Sequence, residues 1–299
     1  MQRRASAEFA LLVTVLIWSL NFTAVKVGVT FVPPLAFAVV RFALGAAVTL
    51  VVALRLEGRP HFRRADLPLL IVAALTGITI NQAVFVGALR ETTASNAALL
   101  IGTIPVWTSV IAVATRQERL ALHHWIGVGT GLLGVSLIVI GGGGRVDSPS
   151  FPGVVLALAT AASWAVYSVL IRPLMARYTA LSLSTFMMVV GTLALAPFAL
   201  PEIASTDWRA VPGEAWLGLL YAALLSVSLT NILYFTAIRR VGASRAALYT
   251  YLQPFLAVMF ATLLLRESAA PLQLAGGLVV IAAILVARPR RRTIAEPGM

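Results

Sequence analysis

The chain contains no cysteine and few charged residues: of 299 residues, 11% are charged and only 11 are Asp or Glu. Without cysteine it can form no disulfide, no thiolate nucleophile and no cysteine-bound metal site. A soluble domain of this size would have roughly a quarter charged residues. The shortage of charge, together with 60% hydrophobic residues, therefore favours an integral membrane protein.

Motifs for catalysis or nucleotide binding are also missing. The three histidines, His61, His123 and His124, lie in short polar segments between apolar runs, which argues against a buried metal site. The glycine run 141–144 lacks the Lys-Ser or Lys-Thr of a phosphate-binding loop. No Asp or Glu lies deep in an apolar segment, so neither a carboxylate proton relay nor an enzymatic acid–base pair is evident. We therefore predict no enzymatic activity, no cofactor and no metal.

The net charge of +12 comes from basic residues in short hydrophilic loops. A nucleic-acid-binding protein would instead cluster them on one face of a soluble domain. Short basic loops are typical of the cytoplasmic side of membrane proteins. We therefore predict contact with membrane lipid and no nucleic-acid partner.

Ten apolar segments are long enough to cross a membrane as helices, for which about 20 residues are needed. Turn-forming pairs such as Pro33-Pro34 and Pro212-Gly213 separate them. An all-α polytopic membrane protein with ten transmembrane helices is therefore predicted. The predicted helices, named spans 1 to 10, are 8–27, 33–54, 67–88, 95–115, 121–140, 152–171, 181–200, 214–237, 244–265 and 271–287.

The two halves of the chain repeat one pattern. Each half contains five spans, and an odd number of crossings makes the two copies enter the membrane from opposite sides. We therefore predict two inverted five-helix repeats, 1–144 and 145–299, around a central cavity. The residues that recur 149 positions later are Ala88, Arg90, Ala94, Ser95, Ala97, Ala98, Leu99, Pro105, Glu118 and Gly127.

Positive charge is distributed unequally between the two sides of the predicted helices. With a cytoplasmic N-terminus, the inside segments hold seventeen arginines, and the outside segments hold four arginines and Lys26. Cytoplasmic loops of membrane proteins carry this excess. Both termini are therefore predicted to be cytoplasmic.

The first span carries Trp18-Ser19-Leu20-Asn21-Phe22 followed by Lys26, which resembles the first-helix signature of the EamA-type drug/metabolite transporter superfamily. The stretch 233–287 resembles the second repeat of that family, and the resemblance covers nearly the whole chain.

The resemblance implies an exporter of small molecules in the bacterial inner membrane that works by alternating access. Amino acids, including aromatic ones, are the favoured substrates. A broad exporter of hydrophobic drugs and a proton-coupled exporter remain alternatives. Ten spans enclose enough volume for one cavity, so we expect a monomer.

Trp18 and Asn21 lie near the middle of span 1, and Trp164 and Tyr167 occupy the matching positions of span 6, 146 residues later. Polar groups at this depth are costly unless they find partners or line a wet cavity. The two pairs are therefore predicted to line a central substrate site. Ordinary helix packing is the alternative.

Spans 3 and 8 contain a second matched set of polar and aromatic residues. These residues are predicted to line the same site, although hydrogen bonds between helices would also explain them. The set is Asn81, Gln82 and Phe85 in span 3, with Thr230, Asn231 and Tyr234 in span 8.

Spans 4 and 9 carry Pro105 and Pro254 at matched positions. Proline within a helix removes a hydrogen bond and bends the helix, so both residues are predicted hinges, a static bend being the alternative. Other residues on these helix faces are candidate substrate contacts. They are Thr103 and Trp107 in span 4, and Tyr249 and Gln253 in span 9.

Arg41 lies about eight residues into span 2, where its counterpart in span 7 is Met187. An arginine within the membrane is a candidate for binding a substrate carboxylate in bidentate fashion, and a purely structural arginine is the alternative. Glu118 and Glu267 precede spans 5 and 10, and both are expected to bind helix N-terminal amides there.

Overall fold

The computed structural model describes residues 2–115, 122–141, 151–231, 233–234 and 252–286. Within these ranges the chain is helical, and the helices are joined by short turns without any strand. Five helices in the described part of the chain are individually long and apolar enough to cross a membrane. They are Glu8–Phe31, Pro34–Leu56, Arg64–Glu91, Phe151–Met175 and Ala180–Ser205.

Within the described ranges the helices follow the predicted spans, and the all-α prediction is confirmed. Residues 235–251, which include the end of span 8 and the start of span 9, lie outside these ranges. Spans 3 and 4 are each built from two α-helical pieces. The α-helices are Gln2–Phe31 (span 1), Pro34–Leu56 (span 2), Leu67–Ala74 and Asn81–Glu91 (span 3), Ala94–Ile101 and Ile104–Ala114 (span 4), Leu122–Gly141 (span 5), Phe151–Met175 (span 6), Ala180–Ser205 (span 7), Gly213–Leu220 (span 8), Gln253–Leu265 (span 9) and Pro271–Val286 (span 10).

Spans 3 and 8 share an irregularity that the sequence did not predict. Each contains a π-helical segment, Leu75–Ile80 in span 3 and Tyr221–Leu229 in span 8. Shifting the first segment by 149 positions places it within the second. Because π-helical turns are uncommon and occur frequently at functional sites, their occurrence at matched positions draws attention to these two helices.

Span 4 is interrupted between Ile101 and Ile104, and Pro105 is the second residue of the helix that follows. Pro254 is likewise the second residue of the helix Gln253–Leu265. In the first turn of a helix the missing N–H of proline costs nothing, so neither residue bends a continuous described helix in its middle. For Pro105 the mid-helix placement is therefore corrected. The residues just before Leu252 lie outside the described part of the chain, so the mid-helix placement of Pro254 stays a prediction. The role of the two prolines as hinges stays a prediction.

Carboxylates link the two halves by binding the start of a helix in the other repeat. At the end of span 7, Glu202 Oε2 accepts hydrogen bonds from the backbone N–H groups of Leu35 (2.7 Å) and Ala36 (2.9 Å), which open span 2. At the end of span 2, Glu57 accepts hydrogen bonds from the hydroxyls of Thr179 and Ser182, which open span 7. This reciprocal exchange is expected of two repeats that are related by an internal two-fold axis.

Glu267 binds a different helix from the one that the sequence suggested. Its carboxylate accepts hydrogen bonds from Ala94 N (2.8 Å), Ser95 N (2.9 Å) and Ser95 Oγ (2.7 Å), at the start of span 4. At span 10, Gln273 Oε1 accepts the hydrogen bond from Ala270 N instead (2.7 Å). Glu267 therefore caps the start of a helix in the first repeat. Glu118 lies outside the described residues.

Replacement of Glu267 by alanine should lower the stability of the protein measurably. The change leaves two backbone N–H groups of span 4 and one hydroxyl without their charged acceptor, and loss of such a cap costs about 1 to 2 kcal/mol. Thermal unfolding of the purified protein in detergent measures the effect. The matched control is Glu214→Ala, because Glu214 is an exposed carboxylate in the first turn of span 8. Equal melting temperatures for the two variants would contradict the cap.

Candidate functional site

A cavity of about 340 Å³ lies between the two repeats. Residues from both halves line it, and its volume falls within the range of small-molecule sites. Eleven of the predicted contact residues are among those that line it. They are Trp18, Asn21, Arg41, Asn81, Gln82, Phe85, Trp164, Tyr167, Asn231, Tyr234 and Gln253.

The remaining predicted residues are not brought to the cavity or cannot be placed. Thr103, Trp107 and Thr230 do not line it. Trp107 Nε1 donates to Thr103 Oγ1 (3.2 Å), and Thr103 Oγ1 donates to Leu100 O (2.6 Å) within span 4. Tyr249 lies outside the described residues. Of the two prolines, Pro254 lines the cavity, and the side chain of Pro105 is not among those described.

Several lining residues are small or flexible side chains that the sequence did not single out, among them Thr160, Ser184, Ser226 and Met188. Spacing alone could have found two of them. Thr160 is four residues before Trp164, and Ser226 is four residues before Thr230, so each shares a helix face with a residue already identified. Ser184 and Met188 carry no comparable signal, because hydroxyls and thioethers are common wherever helices pack.

Trp18 is held in place by span 8. Its indole Nε1 donates to Thr230 Oγ1 (2.8 Å) and to Ser226 O (3.2 Å), and its ring centroid is 5.1 Å from that of Tyr234. Thr230 is buried, and its own hydroxyl donates to Ser226 O (2.5 Å). Trp18 thus forms one wall of the cavity and also connects the two repeats.

The matching pair in span 6 is arranged differently. The rings of Trp164 and Tyr167 are 5.4 Å apart and tilted by 59°, one helical turn from each other. Both rings line the cavity, and Trp164 is the more exposed of the two residues. The second repeat therefore contributes an aromatic surface.

A chain of hydrogen bonds connects three helices across the cavity wall. Arg41 Nη2 donates to Gln82 Oε1, and Gln82 Nε2 donates to Asn81 Oδ1 (2.9 Å). Asn81 Nδ2 in turn donates to Thr160 O and Ser163 Oγ, both at 2.9 Å. The chain fixes the guanidinium of span 2 against span 3, and span 3 against span 6.

Arg41 is only 2% exposed and is the one charged residue among those described as lining the cavity. Its guanidinium carbon lies 4.9 Å from the ring centroid of Phe42, 5.7 Å from that of Phe85 and 5.9 Å from that of Phe37. These rings provide favourable cation–π contact without neutralising the charge. The described wall of the cavity is therefore aromatic and amide-rich, with a single positive charge.

Asn231 and Gln253 are anchored partly by their own helices and neighbours. Asn231 Nδ2 donates to Val227 O in the π-helical segment of span 8, and the backbone O of Gln253 accepts from Ser19 Oγ (3.2 Å). Both residues line the cavity as well. Span 9 is thereby joined to span 1 beside the site.

Two halves of packed helices around a shared cavity are the arrangement typical of polytopic membrane transporters. The chain belongs to the EamA-like transporter family, whose sequence profile matches it twice, at residues 5–140 and 151–288. Proteins of this family have a ten-helix membrane fold with two repeats, as predicted. Membership of this family, together with the names of the relatives, indicates that the chain is a transporter rather than an enzyme.

Individual relatives agree with this assignment. The chain is 28% identical to a probable terminal-alkyne amino-acid exporter of Streptantibioticus cattleyicolor, over 98% of each sequence. It is 28% identical to an uncharacterized transporter of Archaeoglobus fulgidus, over 94% of this chain and 96% of the relative. A crystal structure with 19% sequence identity superposes with a TM-score of 0.68, over 98% of this chain and 99% of the other, which supports the fold.

Proposed function

We propose that this transporter exports small neutral or zwitterionic metabolites, above all aromatic amino acids, across the bacterial inner membrane. The observation that carries the proposal is the composition of the cavity wall. It combines the rings of Trp18, Trp164, Tyr167 and Tyr234 with side-chain amides and the single charge of Arg41. The probable terminal-alkyne amino-acid exporter of Streptantibioticus cattleyicolor, similar over nearly the whole chain, supports amino acids as the substrate class.

The same wall argues against other classes of substrate. A phosphate ester or nucleotide sugar needs several cationic groups, and Arg41 is the only one among the described lining residues. A strongly cationic drug favours a buried carboxylate, and the described part of the wall has no Asp or Glu. A zwitterion with an apolar side chain fits both features.

Alternating access between the two inverted repeats is the proposed mechanism. The interruption of span 4 before Pro105 and the π-helical segments of spans 3 and 8 are positions at which helices can change shape. No described lining residue is Asp, Glu, His or Lys, so the described wall has no side chain suited to carrying a coupling proton. Facilitated export or exchange is therefore the favoured coupling, with proton coupling as the alternative.

The proposal includes an orientation and an assembly state. The excess of arginine on one side of the spans supports two cytoplasmic termini. One cavity between 1–144 and 145–299, the two proposed repeats, supports a monomer that is surrounded by lipid. The exposed apolar side chains on the outer faces of the helices, such as Leu193 and Leu217, are suited to contact with acyl chains.

Purified protein in liposomes should move labelled phenylalanine or tryptophan, and Trp164→Ala should lower that flux about tenfold. The expected loss follows from the removal of one aromatic surface of the cavity. Its contact with the aromatic ring or the ammonium group of the substrate would contribute about 1 kcal/mol each to substrate binding. The matched control is Trp125→Ala, because Trp125 is an exposed tryptophan of span 5 that does not line the cavity. Flux indifferent to replacement of Trp18, Trp164 and Tyr167 would rule out the aromatic site.

A broad exporter of hydrophobic drugs is the second candidate. Phe22, Phe42, Met187 and Met188 also line the cavity, and flexible thioethers adapt to ligands of different shape. Competition between a panel of amino acids and a panel of hydrophobic drugs in the same liposomes separates the two. Amino-acid export predicts competition confined to the amino acids.

A further inference from the structure

The first helix of span 4, Ala94–Ile101, lies between a break and a charged contact. The break follows at Gly102, where the regular helix stops before it resumes at Ile104. At the other end, Glu267 of the second repeat accepts hydrogen bonds from the backbone N–H groups at the start of this helix. Every residue of the helix is buried. A movement of this helix relative to the second repeat therefore has to break the contact with Glu267.

Two further contacts fasten the same end of span 4. Gln273 Nε2 in span 10 donates to Asn96 Oδ1 (2.7 Å), and both side chains are buried. Lys26 Nζ in span 1 donates to the carbonyls of Leu89 (2.6 Å) and Thr92 (2.7 Å), at the turn that leads into span 4. An ammonium group at the end of a helix and a carboxylate at the start of one are both favoured by the helix dipole. In the proposed orientation, all these contacts lie at the outer end of the bundle.

A packed apolar layer lies between the cavity and this outer end. Its members come from both repeats, and each lies nearer the outer end of its span than the cavity-lining residues of the same span. They are at most 3% exposed and include Leu89, Ala97, Val154, Leu219 and Ala261. In this structure the layer separates the cavity from the outer ends of spans 3, 4, 6, 8 and 9, so the contacts of Glu267 belong to a state that is closed toward that end.

The contact between spans 2 and 7 is of a different kind, because it is bonded at both ends. Glu202 binds the start of span 2 at the outer end, and Glu57 binds the start of span 7 at the inner end. Between them, Thr185 Oγ1 donates to Thr49 O (3.4 Å). A seam that opened at one end of the membrane at a time would keep only one of the two carboxylate contacts. Their presence in one structure is expected of a seam that stays closed while other helices move.

We propose that Glu267 is an outer latch, whose contact with the start of span 4 keeps the cavity closed toward the outside and is released when the transporter opens outward. Ala98 and Leu99 belong to the helix Ala94–Ile101 and line the cavity, so a tilt of this helix about the break at Gly102 opens the cavity wall itself. The inference rests on the alternating access and the orientation of the proposed function. It adds which contact between the repeats depends on the state of the transporter.

A single cysteine in the cavity reports whether the outer end is open. Ser226→Cys supplies it, because Ser226 lines the cavity and the chain has no native cysteine. A small anionic, membrane-impermeant methanethiosulfonate is applied to intact cells, and the rate of its reaction is measured. Adding Glu267→Ala should raise this rate about tenfold, because the closed state alone loses a charged helix cap. Glu267→Gln keeps one acceptor oxygen without the charge and should give a smaller rise, and it serves as the test variant if Glu267→Ala does not fold.

The matched control is Glu202→Ala in the same Ser226→Cys background. Glu202 also accepts hydrogen bonds from two backbone N–H groups of the first repeat at the outer end, but it belongs to the seam of spans 2 and 7. Its replacement should leave the rate of labelling from the outside unchanged. An equal rise for Glu202→Ala and Glu267→Ala would mean that loss of either carboxylate merely loosens the bundle, and the latch would be overturned.

Inside-out vesicles and the liposome flux assay separate the latch from the proposed function. A rise in rate that is confined to inside-out vesicles supports the latch and contradicts the proposed orientation. If the rates change as expected but no amino acid is transported, the latch stands and the proposed substrate class fails. If amino acids are transported and neither Glu267 variant changes the rate on either side, the latch is wrong and the proposed export stands.

Discussion

A cysteine placed at His61 should be protected from a membrane-impermeant maleimide applied to intact cells, and a cysteine placed at Ala210 should be labelled. The two positions are 149 residues apart, which is the offset of the repeat from span 3 onward, and both side chains are exposed. His61 follows span 2 and Ala210 follows span 7. Because each repeat has five spans, matching loops of inverted repeats lie on opposite sides of the membrane. The expected result is nearly all-or-none labelling.

The chain offers a clean background for this experiment. It has no native cysteine, so every labelled molecule carries the label at the introduced position. Neither substitution changes the number of Lys or Arg residues, and the charge bias that orients the spans is preserved. Permeabilised cells are the control, because both cysteines should then react equally. Labelling of both positions from the outside, or protection of both, would contradict the inverted arrangement.

The helices themselves were predictable because burial in lipid imposes a simple requirement on the sequence. Each span must satisfy its backbone hydrogen bonds internally and present apolar side chains to acyl chains, so long apolar runs mark the helices to within a few residues. The cavity was predictable for a related reason. Asn21, Arg41 and Asn81 are polar residues within apolar runs, and such residues rarely face lipid.

Contacts between distant helices were not predictable. Glu267 precedes span 10 in the sequence, yet its carboxylate binds the start of span 4, because the fold brings an amide-rich helix terminus to within 2.9 Å of it. The π-helical segments and the break at Gly102 leave little trace in local composition. They depend on how spans 3, 4 and 8 pack against the other repeat.

Symmetry is kept at some packing contacts between the repeats and is broken at particular positions of the cavity wall. Glycines at matched positions, Gly45 in span 2 and Gly191 in span 7, allow close contact with the π-helical segments of spans 8 and 3. At the cavity, by contrast, Arg41 is matched by Met187. Packing constrains both copies to the same shape, whereas recognition of an asymmetric substrate requires the two walls to differ.

Alanine at Gly45 should destabilise the protein in a way that truncation of Val227 reverses, whereas alanine at Gly191 should be destabilising with little rescue. A Cβ at Gly45 would lie 2.6 Å from Val227 Cγ1 but 3.2 Å from Val227 Cβ, so Val227→Ala removes the clashing atom. A Cβ at Gly191 would lie 2.8 Å from Ile78 Cγ2, still closer to Ile78 Cβ, and 3.0 Å from Ala74 O. Ile78→Ala leaves the last two atoms in place.

Each single glycine substitution should cost about 1 to 3 kcal/mol, the usual range for overpacking. Double-mutant cycles on thermal unfolding in detergent separate the clash from the cost of truncating Val227 or Ile78 alone. A large favourable coupling is expected for Gly45→Ala with Val227→Ala, and a much smaller one for Gly191→Ala with Ile78→Ala. The control is Gly129→Ala in span 5, where a Cβ would meet nothing within 4 Å. If the Gly191→Ala protein is as stable as this control, spans 7 and 3 do not pack as closely as spans 2 and 8. That result would contradict the matched close contacts of the two repeats.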